Sequence, residues 1–456
     1  MHHISSTITA LLACTTLHAL SAALPASLEN QQDLPPGTTL EVPDGTYTTK
    51  GEIRIENTRG TAEKPVVIRA KSRGKVVING KAGFKLKDCE HVVIEGFVFE
   101  NDANQHGVLL EDCRHVRVTR NVFRLNEKET PRRMQHWLYI IGSRSGHNRV
   151  DHNLFEKKLN RGSMFFARGD DATLTPTQHD RLDHNHFRDV VYANDSNGHE
   201  TLRTGGNDLG AAGRSTHTII EHNLLERCSG EQEIISLKSS DNIVRHNTFI
   251  DCIGSICLRL GNRNEIHHNT MMNPSKVSPA GGVKIYGFDH YVHHNYFQWL
   301  TGTGHVAPLA VLPGRFDTET TDQIGKVYND HTSGAPTRVR IEANVWVNSA
   351  PLVIGREKPD KNYPFSPNDC TFTGNAVLQT QPMKTPLVIL GPVRDFKADD
   401  NRALTHGTPP ADKPWAAWFQ WLALEQQDTL RQVDQGVWQV LQRAPIAADK
   451  VGVDAP

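Results

Sequence analysis

The chain has 456 residues, enough for one large domain or two to three ordinary ones. Lys and Arg total 50 against 51 Asp and Glu, so overall charge cannot recruit a polyanion and local clusters of cations would have to. With 35 glycines and 24 prolines the chain is neither collagen-like nor disordered by composition.

Residues 1–23 read as a secretory signal peptide: MHH, then an apolar core, then the small residues Ser21, Ala22 and Ala23. The first residues carry His where Lys or Arg is usual. A buried N-terminal helix is the alternative, and LLAC ending at Cys14 loosely resembles a lipoprotein cleavage box. The expected location is therefore secreted or periplasmic. No other run reaches the roughly 20 apolar residues of a membrane span. Past this segment, Cys89, Cys113, Cys228, Cys252, Cys257 and Cys370 form no C-x-x-C pattern.

The stretches PPGTTLEVPDGTYTTKGEIRI and GTAEKPVVIRAKSRGKVVING are glycine-punctuated β-structure, expected to begin and cap a solenoid, because an open end would leave a bare strand edge. A repeat follows. VVIEGFVFEN, VRVTRNVFRLN, NRVDHNLFEKK, DRLDHNHFRDV, TIIEHNLLERC, NIVRHNTFIDC, NEIHHNTMMNP, HYVHHNYFQWL, VRIEANVWVNS and CTFTGNAVLQT are one unit written again and again. Its Asn stands at 121, 153, 185, 223, 247, 269, 295, 344 and 375. Short apolar/polar alternation rich in Val, Ile and Phe is strand patterning. One Asn per period predicts an all-β, single-stranded, right-handed parallel β-helix, with Asn at a corner, bonding backbone groups, tolerating left-handed geometry and stacking into a ladder. The leucine spacing of a leucine-rich horseshoe is absent here, and propellers need a longer unit. Cys228 and Cys252 each lie five residues past a repeat Asn, so they are expected as neighbours, either disulfide-bonded or as stacked buried thiols.

Residues 301–338 form a long insertion, expected to build a binding wall; Arg315 within it is a candidate substrate contact. Residues 411–444 read as one or two amphipathic helices capping the C-terminal end. A sugar platform of Trp415, Trp418 and Trp421 is the alternative there. The expected organisation is a signal peptide at 1–23, a β-helix with its N-terminal cap at 24–405, and a helical cap or tail at 406–456.

Chemistry concentrates in GEQEIISLKSSDN, residues 230–242, and CLRLGNRN, residues 257–264. Aligning TLRTGGN, ISLKSSD, CLRLGNR and VKIYGFD places Arg203, Lys238, Arg259 and Lys284 at nearly one outward position on successive coils, about 4.8 Å apart. Like charges so stacked repel one another, and an acidic polymer lying along them would relieve this. A solvated charge row is the plainer reading. Glu231 and Glu233 share a face of an extended strand and offer oxygens to calcium, or simply form a solvated face. Lys238 stands an odd number of residues from both, so a corner or bulge must reset the alternation.

Glu231, Glu233 and Lys238, with Arg259 one coil later, form an E-x-E-x4-K…R pattern that resembles polysaccharide lyase family 6, the β-helix family of alginate lyases and dermatan-cleaving chondroitinase B. The resemblance runs from the PPGTTLEVPDGTY opening to the late repeats. It implies Lys238 and Arg259 as catalytic residues. SNGHETLRTG is similar to the family's N-G-x-E-x-x-R segment, which implies Asn197 as third calcium ligand beside Glu231 and Glu233, with Asn207 as fallback. Lys284 stands where the family usually has Arg; the charge is kept but the planar fork is lost. The implied reaction is β-elimination from an acidic polysaccharide, alginate in preference to dermatan sulfate, with no role for nucleic acid. Calcium would neutralise the uronate carboxylate. Lys238 would take the C5 proton, with Arg259 as electrostatic partner and Tyr286 or His290 as further candidates to contact substrate and supply a proton. A hydrolase using Glu231 and Glu233, an epimerase, or a non-catalytic polysaccharide-binding β-helix are the rival readings.

Overall fold

Each apolar segment has one face to bury and no coil can bury it alone. The computed structural model describes residues 24–25, 28–102, 106–127, 134–191, 197–206, 214–317, 333–356, 361–379, 385–405, 413–423 and 445–454. Across these, every coil solves the problem in the same way. Three short strands each pair in parallel with the strand three places earlier and three places later, giving stacked sheets of 13, 13 and 14 strands. The predicted parallel β-helix is what forms. Inside it, Phe99, Phe123, Phe155 and Phe187 stack ring on ring at 4.8, 4.4 and 4.7 Å between centroids.

The Asn ladder is continuous. From Asn121 onward each side-chain amide donates to the Oδ1 of the next Asn at 2.9–3.1 Å, through Asn375 to Asn401. The left-handed residue at this corner is not the Asn, however. It is the residue before it: Arg120, His152, His184, His222, His246, His268, His294 and Ala343 all have positive φ. Histidine is enriched in this conformation, and most of these imidazoles stack down the outside of the corner. Successive rings from His152 to His246 lie 5.0–5.2 Å apart. A second, shorter ladder at the preceding corner runs Asn242, Asn264, His290.

The second sheet carries a charged strip. Arg117 pairs with Asp151 and Arg149 with Asp183, both at 2.6 Å, while Arg245 pairs with Glu221 at 2.6 Å. Cys228 and Cys252 are free buried thiols, with the Cys228 N–H donating to Cys252 Sγ at 3.4 Å. Of the two readings, the stacked pair is therefore the one that forms.

The insertion is not wholly loop. Leu309–Val311 is a strand of the first sheet, preceded by a 3₁₀ turn at Gly304–Val306. The C-terminal segment also departs from expectation where it is described: Pro414–Trp418 is a 3₁₀ turn, and Phe419–Ala423 extends the third sheet. Trp418 stacks on Phe396 at 5.0 Å and Trp421 Nε1 donates to the Ala416 carbonyl, so these rings close the end of the core. The predicted helices beyond residue 423, and the signal peptide at 1–23, lie outside the described residues. Residues 445–454 run back along the solenoid. Ile446 N–H donates to Thr248 Oγ1, Gly452 N–H donates to the His184 carbonyl, and the Val453 carbonyl accepts from Arg120 and Arg73.

Candidate active site

Four neighbouring strands of the first sheet build the site: β1 (Leu202–Thr204), β2 (Glu233–Leu237), β3 (Gly254–Leu258) and β4 (Ala280–Ile285). Leu202, Ile235, Ile256 and Val283 stand in register and point into the core. The next position outward is therefore Arg203, Ser236, Cys257, Lys284. Leu237 and Leu258 turn inward again in register, and Lys238 and Arg259 follow them, continued by Tyr286 after Ile285. The expected single ladder of four cations is thus two rows. Arg203 and Lys284 flank the first, and Lys238, Arg259 and Tyr286 form the second. The parity problem is resolved by a bulge between Glu233 and Ile235, where two steps on β2 match one on β3.

Three carboxylates sit among these cations. Glu200, just before β1, lies 3.5 Å from Lys238 Nζ and 3.8 Å from Arg203. Glu233 lies 3.7 Å from Arg259 and 3.8 Å from Lys284, and accepts from Ser236 Oγ at 2.6 Å. Burial opposes the Glu233 charge, but Lys284, Arg259 and Lys238 outweigh it and hold the carboxyl down at about 2. Glu231 differs. Its Oε1 accepts only the backbone N–H groups of Gly198 and His199, with no cation in ion-pair reach among the described residues. Burial, then the charges of Glu200 and Glu233, push it up to about 8. One oxygen of Glu200 is buried with no hydrogen-bond partner.

The insertion forms a wall beside this cluster. Ser333 Oγ accepts from Arg259 Nη1 and donates to the Arg259 carbonyl, and its own carbonyl accepts from Arg315 N–H at 2.8 Å. Arg315 and Arg356 both lie over the Tyr363 ring, 5.2 and 5.4 Å from its centre. Tyr286, His305, Leu312, Pro313, Arg356 and Tyr363 enclose a cavity of about 180 Å³.

The family model for chondroitinase B matches residues 26–355, most of the chain. The chain belongs to the chondroitinase B family. It is a polysaccharide lyase of family 6. Among solved structures it is similar to a mannuronic acid specific family 6 lyase from human gut microbiota, with 23% identity, 92% of each chain covered and a TM-score of 0.73. It is similar to the family 6 alginate lyase AlyGC, at 25% identity and a TM-score of 0.78, over 93% of this chain but 57% of that one. A family 6 alginate lyase solved with a trisaccharide matches at 20% identity and a TM-score of 0.69, covering 88% of this chain and 89% of that one. No curated protein matches the chain.

In the lyase, Lys238, Arg259, Arg203, Lys284, Glu231 and Glu233 come together on one wall, with Tyr286 beside them and Arg315 reaching the group through Ser333. Asn197 is exposed and immediately precedes Gly198, whose N–H holds Glu231; Asn207 lies outside the described residues. His290 is a correction. It is fully buried, with Nδ1 accepting from Asn264 N–H and Nε2 at 2.7 Å from the Tyr286 carbonyl. Its place is the corner ladder, where burial pushes it down to about 4, and it cannot touch substrate. Sequence reasoning passed over Glu200, although it stands inside the N-G-x-E-x-x-R segment. It also passed over Ser333 and Tyr363, which reach the site from distant coils and carry no local signal.

Proposed function

We propose that this lyase cleaves alginate by β-elimination, with Lys238 as base and Arg259 beside it. The observation that carries this is the second row: an ammonium and a guanidinium at equivalent places on adjacent strands, next to a phenol and above an acidic cluster. The donor set suits calcium, a hard cation that takes carboxylate and amide oxygens. Glu231 is crowded by two carboxylates with no cation of its own among the described residues, and Glu200 keeps an orphaned oxygen. Glu231, Glu233 and Asn197 would hold the ion, which when bound neutralises the uronate carboxylate and steadies the charge that forms on proton loss.

The chain's own residues do the rest. Lys238 Nζ takes the proton from C5. The C4–O bond then breaks, and a C4–C5 double bond forms. The departing oxygen needs a proton, and Tyr286 supplies it: burial pushes its phenol well above the ordinary range, so it is protonated at neutral pH. Arg259, 5.8 Å from the Tyr286 ring, faces the developing negative charge. Arg203, Lys284 and Arg315 attract the flanking uronates. Residues 1–23 would direct export to the periplasm or beyond, where such polymers are met.

Lys238→Ala should lower the appearance of unsaturated product by about 10²–10⁴-fold with the circular dichroism unchanged. Chelator should lower activity and calcium restore it. Full activity in the variant would remove Lys238 as base, and saturated product ends would make the enzyme a hydrolase. Dermatan sulfate is the second reading, favoured by the family model that matches. Comparing polymannuronate, polyguluronate and dermatan sulfate as substrates separates the two.

A further inference from the structure

The corner between the second and third sheets carries side chains that the lyase reaction does not use. On two consecutive coils the left-handed histidine is preceded by a second one, giving His267–His268 and His293–His294. Within each pair the two Nδ1 atoms face one another, at 2.6 and 2.8 Å. His267 and His293 stack at 4.9 Å, and His246 lies one coil back, 5.2 Å from His268 between ring centres. One ring nitrogen from each of His246, His267 and His268 falls within 4.8 Å of the other two, and all three residues are half-buried.

We propose that His246, His267 and His268 bind one divalent transition-metal ion of the zinc class. Zinc bonds imidazole nitrogen at about 2.0–2.1 Å and prefers a tetrahedron, so its ligand nitrogens stand roughly 3.4 Å apart. The three ring nitrogens, within 4.8 Å of one another, lie close to that spacing. Three protein ligands leave the fourth position open to water. Glu265 fits the outer shell. It accepts from His293 Nε2 at 2.9 Å and lies 4.0 Å from His267 Nε2, on the side of the ring away from His268. At 4.0 Å the carboxylate acts on His267 through its charge rather than through a hydrogen bond, and it favours a proton on Nε2, the nitrogen away from His268. Arg245, in register with His267 one coil back, is a neighbouring cation and is held by Glu221 at 2.6 Å. Imidazole suits zinc, copper or nickel and not calcium, so this site and the acidic cluster on the first sheet would not compete for one ion.

The test uses full-length, tag-free protein loaded with calcium and titrated with Zn²⁺ alone. One equivalent should bind saturably, and Co²⁺ in its place should give the visible spectrum of a tetrahedral site. His267→Asn with His268→Asn should weaken Zn²⁺ binding by more than the about 10–100-fold that outer-shell losses cost; Asn tolerates the left-handed backbone of residue 268. If that variant does not fold, His246→Asn serves instead, with the same expectation. A second column of stacked imidazoles includes His91 and His115, 4.6 Å apart, with Glu90 beside them and His115 exposed; His91→Asn with His115→Asn there should leave affinity unchanged, and alginate turnover should be unaffected by all of these. Absence of saturable binding, or equal losses in the two columns, would overturn the assignment.

Discussion

Asn247 is the rung between the coil that carries Lys238 and the one that carries Arg259, and Asn247→Ala removes it. Its Oδ1 accepts from Asn223 N–H and Nδ2, both at 3.0 Å. Its Nδ2 donates to the carbonyls of Ile220 and Arg245 and to Asn269 Oδ1, at 2.9–3.0 Å. All of these bonds are lost together in a dry corner, and the Asn223 N–H is left without an acceptor. At about 1 kcal/mol net for each of the four other bonds, with about 1–3 kcal/mol for the stranded buried donor, the loss is about 5–7 kcal/mol. That is a large part of the about 5–15 kcal/mol that holds a typical domain. Urea unfolding should be followed by far-ultraviolet circular dichroism and by lyase activity in parallel. A solenoid can open locally, so activity should be lost at lower urea than the bulk signal. A loss below about 1.5 kcal/mol, with the two probes still coincident, would refute the claim that the ladder carries the coil.

Ser333→Ala should lower kcat by about 10- to 100-fold with little change in stability, because a hydrogen bond to a charged group is worth about 1.5–3 kcal/mol and this one aims Arg259; an unchanged kcat would show that Arg259 needs no such support. Stability should fall as pH drops below about 4. Burial opposes the Asp183 charge, but His184 and Arg149 outweigh it and hold that carboxyl well below its ordinary range, with Asp151, Glu156 and Glu221 held low in the same way. Such groups stabilise the fold above their unfolded pKa and lose that contribution as pH falls through the folded one; a melting temperature flat from pH 6 to 3 would contradict this. Asp180 has the opposite sign. Burial raises it to about 6, so Asp180→Asn should stabilise the protein more at pH 8 than at pH 4, and an equal effect at both would rule out that carboxyl as the cause.

The repeat made the solenoid readable because every coil must bury the same face and turn the same corner. The left-handed residue was misplaced by one, since Asn can adopt that backbone as well as stack. The structure uses Asn for the ladder and hands the turn to the His before it. Glu231, Glu233 and Lys238 were legible because they crowd into one local run, and Arg259 because it follows one coil later. The register of Arg203 and Lys284 was not, because the distance from strand to corner varies from coil to coil: Lys238 stands four residues before Asn242, Arg259 five before Asn264 and Lys284 six before His290. Glu200 lay in view but looked like an ordinary neighbour. Only its approach to Lys238, across a coil boundary, gives it weight.

The returning tail changes how such a molecule can come apart. Coils that touch only their neighbours are free to peel from either end, one turn at a time. A strand of chain lashed at Thr248, His184, Arg120 and Arg73 ties turns that never meet. Peeling from the N-terminal side past the first coil must prise the lash off Arg73, and clipping the chain near residue 445 would let the two halves of the rod breathe independently.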